Sequence, residues 1–335
     1  MSRIVGMLVC TTALAAALVS RVSAAQNTDI VGTPEIVAAF NAGQIETPES
    51  VAIDYAGNRF VSLNLTGEIR KIAPDGTQST HAWLPLGAPP LSNCGGPFPP
   101  IMGSLAVDHQ GALFIGVAGC GADQHAVYRI DPDGTVTRIA QLPATALPNG
   151  IALRGRFLYV ADSGLQLVWR IPTSGGAATV WADHPLLKKD PNAPPLYPGP
   201  NGLQFYLDEV YVAVSGGFRV VAIKMNSDGS AGAIRMHHAG TGCDDFAFDV
   251  LGNMYCGTDP FNTLVKIRPD GTSTVLLTAA DGLDGPTSVT FGRRAGEALD
   301  LYITNGSFPV FPPPSGVHTP TLMKVRLSIP GLPRP

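Results

Sequence analysis

The sequence predicts an all-β fold, a six-bladed β-propeller whose ring is closed by an N-terminal strand that completes the last blade. One observation is a strand-turn-strand unit of about 45 residues that recurs six times. A second is a turn-rich composition, 38 Gly and 30 Pro with only 14% charged residues, and no helical periodicity between the units. The third is an asymmetry at the ends: no fourth strand follows the last repeat, whereas a spare one precedes the first.

In chain order, Arg3 is followed by an apolar run, Ile4 to Val19, and then by the small residues Val22, Ser23 and Ala24. That pattern predicts a secretory signal over residues 1–25, cut after Ala24 or Ala25. Residues 26–335 then form one propeller domain of about 310 residues, periplasmic or secreted. The apolar run is short for a membrane span, and no later stretch is long and apolar enough to be one. A formal net charge of −4 leaves no basic footprint for nucleic acid. The expected partner is a small-molecule substrate, with no obligate protein partner evident. Cys94, Cys120, Cys243 and Cys256 remain after processing, enough for one or two disulfides in an oxidising compartment. Cys94 with Cys120 is the favoured pair, since both lie in Gly/Pro-rich loops around one repeat; Cys243 and Cys256 are expected as buried free thiols.

The segment Thr33-Pro-Glu-Ile-Val-Ala-Ala-Phe40 is the spare outer strand. The first strands are clearest in Ser50-Val-Ala-Ile-Asp-Tyr-Ala-Gly57, Leu105-Ala-Val-Asp-His-Gln-Gly111 and Phe246-Ala-Phe-Asp-Val-Leu-Gly252, with weaker copies from Ile151, Leu203 and Val289. Third strands follow at matching offsets, and four of them run into a tight Gly turn at Asp75-Gly76, Asp133-Gly134, Asp228-Gly229 and Asp270-Gly271, where Gly supplies positive φ. Each blade buries its faces only against its neighbours, and a closed ring removes most free edges.

In such a ring the residues just before each first strand face a common axis. They read Pro48-Glu49, Met102-Gly103, Pro148-Asn149, Pro200-Asn201, Cys243-Asp244-Asp245 and Pro286-Thr287. Glu49, Asn149, Asn201 and Asp244 therefore hold equivalent places in four blades, and their oxygens are hard ligands suited to Ca²⁺, Mg²⁺ or Mn²⁺; Zn²⁺ is less natural without His or Cys. Pro-Asn-Gly is also a common turn sequence, in which Asn serves only backbone donors. Carboxylates converging in a low-dielectric channel repel, however, and a cation offsets that cost.

With these motifs the chain resembles the SMP-30/gluconolactonase family, and more loosely the strictosidine synthase-like propellers. The resemblance implies a metal-dependent lactone hydrolase with one divalent ion, Ca²⁺ foremost, on Glu49, Asn201 and Asp244, and with Asn149 on the substrate. It also implies that Asp244 both ligates and acts as general base toward water. Asp245 stands where the family has Gly and is expected to be structural. Residues 93–102, 190–200 and 307–315 are expected to overhang the channel, and their apolar content points to a less polar ligand than a sugar lactone.

Other readings remain open on the sequence. One is a non-catalytic binding propeller with a structural metal. Another is a strictosidine synthase-like condensing enzyme, whose last-blade Glu has no counterpart here, since Glu297 falls in a predicted turn. His237 and His238 are adjacent in a predicted outer strand and face opposite ways; His81, His109, His125, His184 and His318 are assigned to loops or turns. Asn64-Leu-Thr66 and Asn305-Gly-Ser307 match the glycosylation sequon.

Overall fold

The computed structural model describes residues 29–87, 99–194, 196–311 and 313–333. The predicted signal over residues 1–25 lies outside them, as does Cys94. Among the described residues there are six four-stranded antiparallel sheets, and helix is confined to five single-turn 3₁₀ segments. In five sheets the strands run in chain order from inside to outside. The sixth takes Glu35–Ala39 as its outer strand, beside Thr321–Arg326. The all-β, six-bladed architecture and its N-terminal closure are as predicted.

The hairpins form where the Asp-x-x-Gly units place them. Asp54 accepts from the Asn58 backbone and side-chain amides at 2.8 and 2.7 Å, and Asp249 holds Asn253 in the same way. The following turn needs a left-handed residue, which Gly57 supplies at φ 84° and Gly252 at φ 80°. At the next hairpin Gly76 and Gly271 do the same, with Asp75 and Asp270 accepting from the amides two residues on.

The apolar core sits between blades rather than within them. Phe60 and Ile69 of blade one pack with Met102 and Leu113 of blade two, and the seam between blades six and one joins Tyr302, Leu322 and Ala38 to Val51 and Leu63. Each large side chain so enclosed stabilises the ring by about 1.5–3 kcal/mol. No helix among the described residues is long and apolar enough to cross a membrane.

Three expectations are corrected. The inner strands, Pro48–Ile53, Ile101–Val107, Pro148–Arg154, Pro200–Tyr206, Phe246–Phe248 and Pro286–Phe291, mostly begin earlier than the repeat suggested, so most channel residues lie inside strands. His81 belongs to the outer strand Gln78–Trp83, edge-on to Phe60 at 4.9 Å. Cys243 and Cys256 are not free thiols but a disulfide, with Cα atoms 5.6 Å apart. Cys120 is also disulfide-bonded, while its predicted partner Cys94 falls outside the described residues.

Candidate functional site

Pairing between inner and second strands skips a residue at the same place in five blades. The register shifts between Pro48 and Ser50, Met102 and Leu105, Pro148 and Ile151, Pro200 and Leu203, and Pro286 and Ser288. Such a bulge frees one residue from the ladder and re-aims its side chain. Glu49, Asn149 and Asn201 are the residues freed, and they point at the channel. The Gly after each Asn is there because strands crowd the axis, not because the chain turns. A Cβ at Gly150 would lie 2.1 Å from the Asn201 carbonyl oxygen, and one at Gly202 would lie 2.5 Å from that of Asp244.

Glu49, Asn149, Asn201 and Asp244 all line one cavity of about 870 Å³. The structure thus gathers the four sequence-predicted residues. Asp244 connects directly to Asn201, whose Nδ2 donates to Asp244 Oδ1 at 2.6 Å.

A second set of residues, missed in the sequence, fixes how the first set points. Each directly follows the second strand of its blade, 14 or 15 residues after the channel residue. Ser215 Oγ donates to the Cys243 carbonyl at 2.6 Å and Ser163 Oγ donates to that of Pro200 at 2.6 Å. With its one proton committed, each hydroxyl can only accept, and it accepts from Asn201 Nδ2 at 3.1 Å and Asn149 Nδ2 at 3.4 Å. Both amides are therefore turned with Oδ1 away from the serine, and both of these buried oxygens lack a hydrogen-bond partner. In blade one Asn64 spends its Oδ1 on the Met102 amide at 2.8 Å and donates from Nδ2 to Glu49 Oε2 at 3.3 Å. The signal in the sequence was this fixed offset, which leads in blade five to Asp259.

Asp259 lines the same cavity, and its Oδ1 is buried without a partner. Removal from bulk water and the neighbouring carboxylates, Asp259 before Asp245, push the Glu49 carboxyl up to about 8. Burial, then Glu49, Asp259 and Asp245, raise Asp244 well above the usual carboxylate range. Burial and the charge of Asp284 push Asp259 up to about 7. Carboxylates gathered with unpartnered amide oxygens suit a hard divalent cation. Among the described residues no three His, Cys, Asp or Glu side chains form a metal cluster; the donor set here depends on the amide oxygen of Asn201.

Asp245 has the structural place expected of it. Buried below the site, it accepts from Ser104 Oγ of blade two and Ser288 Oγ of blade six, each at 3.2 Å. Residues 93–98 of the first predicted loop lie outside the described residues; from the described parts of the three loops, Pro99, Pro100, Leu196, Tyr197, Phe308 and Phe311 line the mouth. His125 also lines the cavity, its Nδ1 2.8 Å from the Ala146 carbonyl oxygen, whereas Glu297, His237 and His238 do not. Glu297 pairs with Arg59 at 2.9 Å and does not line the cavity, which disfavours the condensing enzyme. His238 is buried against Gly271 and Thr241, while His237 meets Tyr211 edge-on. Asn64 and Asn305 are 4% and 0% exposed and hydrogen-bonded, so neither sequon is open to modification in the folded protein.

The family model described as the SMP-30/gluconolactonase/LRE-like region matches residues 102–194. Among solved structures, a gluconolactonase from Xanthomonas campestris is similar at 18% identity, with 91% of this chain and 92% of that chain covered and a TM-score of 0.63. A calcium-binding protein, regucalcin, from Agrobacterium tumefaciens is similar at 14% identity, with coverage of 91% and 97% and a TM-score of 0.65. A luciferin-regenerating enzyme is similar at 13% identity, with coverage of 90% and 98% and a TM-score of 0.67. No curated protein matches the sequence. At these identities the structural likeness establishes the fold, and the functional case rests on the residues themselves.

Proposed function

From the premise that this chain carries the SMP-30/gluconolactonase/LRE-like pattern on a six-bladed propeller, we propose an exported hydrolase of lactones or related esters. It works with one divalent cation held by Glu49, Asn201 and Asp244. The observation that carries this reading is one cavity lined both by Glu49 and Asp244, raised by burial and by neighbouring carboxylates, and by Asn149 and Asn201, whose amide oxygens lack partners. The description of one structural neighbour as calcium-binding favours Ca²⁺ over Mg²⁺, Mn²⁺ or Zn²⁺, and that of another as a gluconolactonase favours a lactone. Export rests on the N-terminal signal pattern.

Bound there, the cation supplies Lewis-acid polarisation of the ester carbonyl. The protein's own groups do the rest. Asn201 presents Oδ1 because Ser215 holds its amide, and Asp244 is held by Asn201. Asn149, fixed by Ser163, orients the substrate from the adjoining blade. Asp244 serves as a ligand to the cation.

The mouth favours an apolar substrate. Leu196, Tyr197, Phe308, Val310 and Phe311 line it, and Lys189 is the one Lys or Arg among the described lining residues. A cavity of this size takes a drug-sized ligand rather than a single sugar ring. The test is metal-stripped protein titrated with Ca²⁺, Mg²⁺, Mn²⁺ and Zn²⁺, reading thermal melting and hydrolysis of sugar, acyl and aryl lactones, beside Asp244→Ala. Cation-dependent turnover that favours the apolar lactones and is lost in the variant is the expected result. A melting shift with no turnover on any lactone makes the protein a binding propeller instead.

A further inference from the structure

We propose that Asp259, not Asp244, takes the proton from the attacking water, leaving Asp244 as a ligand. The inference rests on the hydrolase reading above and deepens it. It comes from a break in a pattern. In blades one, three and four the residue after the second strand donates to, or accepts from, the channel residue of its own blade: Asn64 with Glu49, Ser163 with Asn149, Ser215 with Asn201. Each is also tied to the next blade's backbone, at Met102, Pro200 and Cys243. Each of these groups thus bridges its own blade's channel residue to the next blade's backbone, and so serves position.

Blade five has an acid at both stations. Asp259 stands to Asp244 as Ser215 stands to Asn201, but two carboxylates cannot hydrogen-bond each other without a proton between them. Asp259 Oδ1 has no partner. It is held against Gly285, whose missing side chain makes the room, since a Cβ there would lie 2.8 Å away. Gly285 is itself fixed by Asn262 Oδ1, which accepts its amide at 2.6 Å. Behind Asp259 lies Asp284, pinned by Ser307 Oγ at 2.6 Å and the Thr319 amide at 2.8 Å, both donating to its Oδ2. A fixed negative charge behind an unpartnered carboxylate on the cavity wall makes that carboxylate a better base. Asp244, in contrast, spends Oδ1 on Asn201, and ligation would draw further on its electrons.

In the step proposed, a water O–H bond breaks, its proton goes to Asp259, and the oxygen forms a bond to the carbonyl carbon. Collapse of the tetrahedral adduct breaks the ring C–O bond, and the leaving alkoxide takes the proton back from Asp259. The hydroxy acid then ionises in solvent, so Asp259 ends each turnover as it began.

The experiment compares Asp259→Asn, Asp259→Ala and Asp244→Ala with the native protein. Cation-induced melting shift is measured without substrate, and hydrolysis with the best lactone of the panel. Asp259→Asn should keep the cation shift and lose turnover by about 100-fold or more, whereas Asp244→Ala should lose both. Formate supplied to Asp259→Ala should restore part of the rate, with an acid limb of kcat/KM that moves down toward the titration of formate. Near-native turnover in Asp259→Asn, loss of its cation shift, or no rescue by formate would each overturn the assignment. Inactivity of the native protein on every lactone would instead sink the hydrolase reading, a failure that the substrate-free cation shift tells apart.

Discussion

Glu49 and Asp244 hold protons that an unfolded chain would release, and this ties stability to pH. The Glu49 carboxyl rises from 4.5 to about 8 on folding, so between those values the native state binds more protons than the unfolded one. Without a cation, stability is therefore fullest below about pH 4.5 as far as this group is concerned, and is lost as pH rises through 8. Asp244 shifts in the same direction and adds to the fall. Calorimetric melting of metal-stripped protein should show the midpoint dropping from pH 5 to pH 8. A saturating divalent cation should flatten that slope, because it takes the protons' place. Four residues of this site were legible in the sequence because they stand just ahead of the recognisable repeat in four blades. Asp259 was not, because it follows a strand, and its meaning depends on Asp284, which approaches from the neighbouring blade.

At the scale of elements, the Pro-Asn-Gly segments show where sequence reasoning misleads. The same three residues make a good turn, but here they form a bulged strand start whose Gly accommodates the next blade. Gly202→Ala should cost about 1–3 kcal/mol through overpacking and weaken the cation response, since the carbonyl it would strike belongs to Asp244. Urea unfolding with and without cation measures both. The Cys243–Cys256 bridge was invisible for a related reason. Loop cysteines looked the better pair, while these two are brought together by the irregular start of blade five, ahead of the pairing of Phe246 with Cys256. Replacing both by Ser should cost about 2–4 kcal/mol. It should also loosen Asp244, because the Cys243 carbonyl receives the Ser215 hydroxyl.

The whole molecule was the most legible level, since six local patterns agreed on one architecture and the missing fourth strand identified its own replacement. What the repeat could not show was how tightly the seam is made. Glu35–Ala39 pairs with Thr321–Arg326 in a register broken once, Asp29 forms an ion pair with Lys266 at 2.6 Å, and Ile30 bridges Leu327. Deleting residues 29–40 should bare the Thr321–Arg326 edge and produce aggregation with a markedly lower melting point, read by size-exclusion chromatography and calorimetry.

That seam also sets a timetable. Its two strands stand nearly a full chain apart, so blade six cannot finish until almost everything between them has been made, and the closing contact bears the loop entropy of the entire ring. Five blades must wait with one flank open, held by neighbours but not yet by a circle. The same strand pair is where a breathing molecule parts first: among the strand amides, those of residues 35–39 and 321–326 should exchange with solvent soonest, with the other blades following only once the circle is broken.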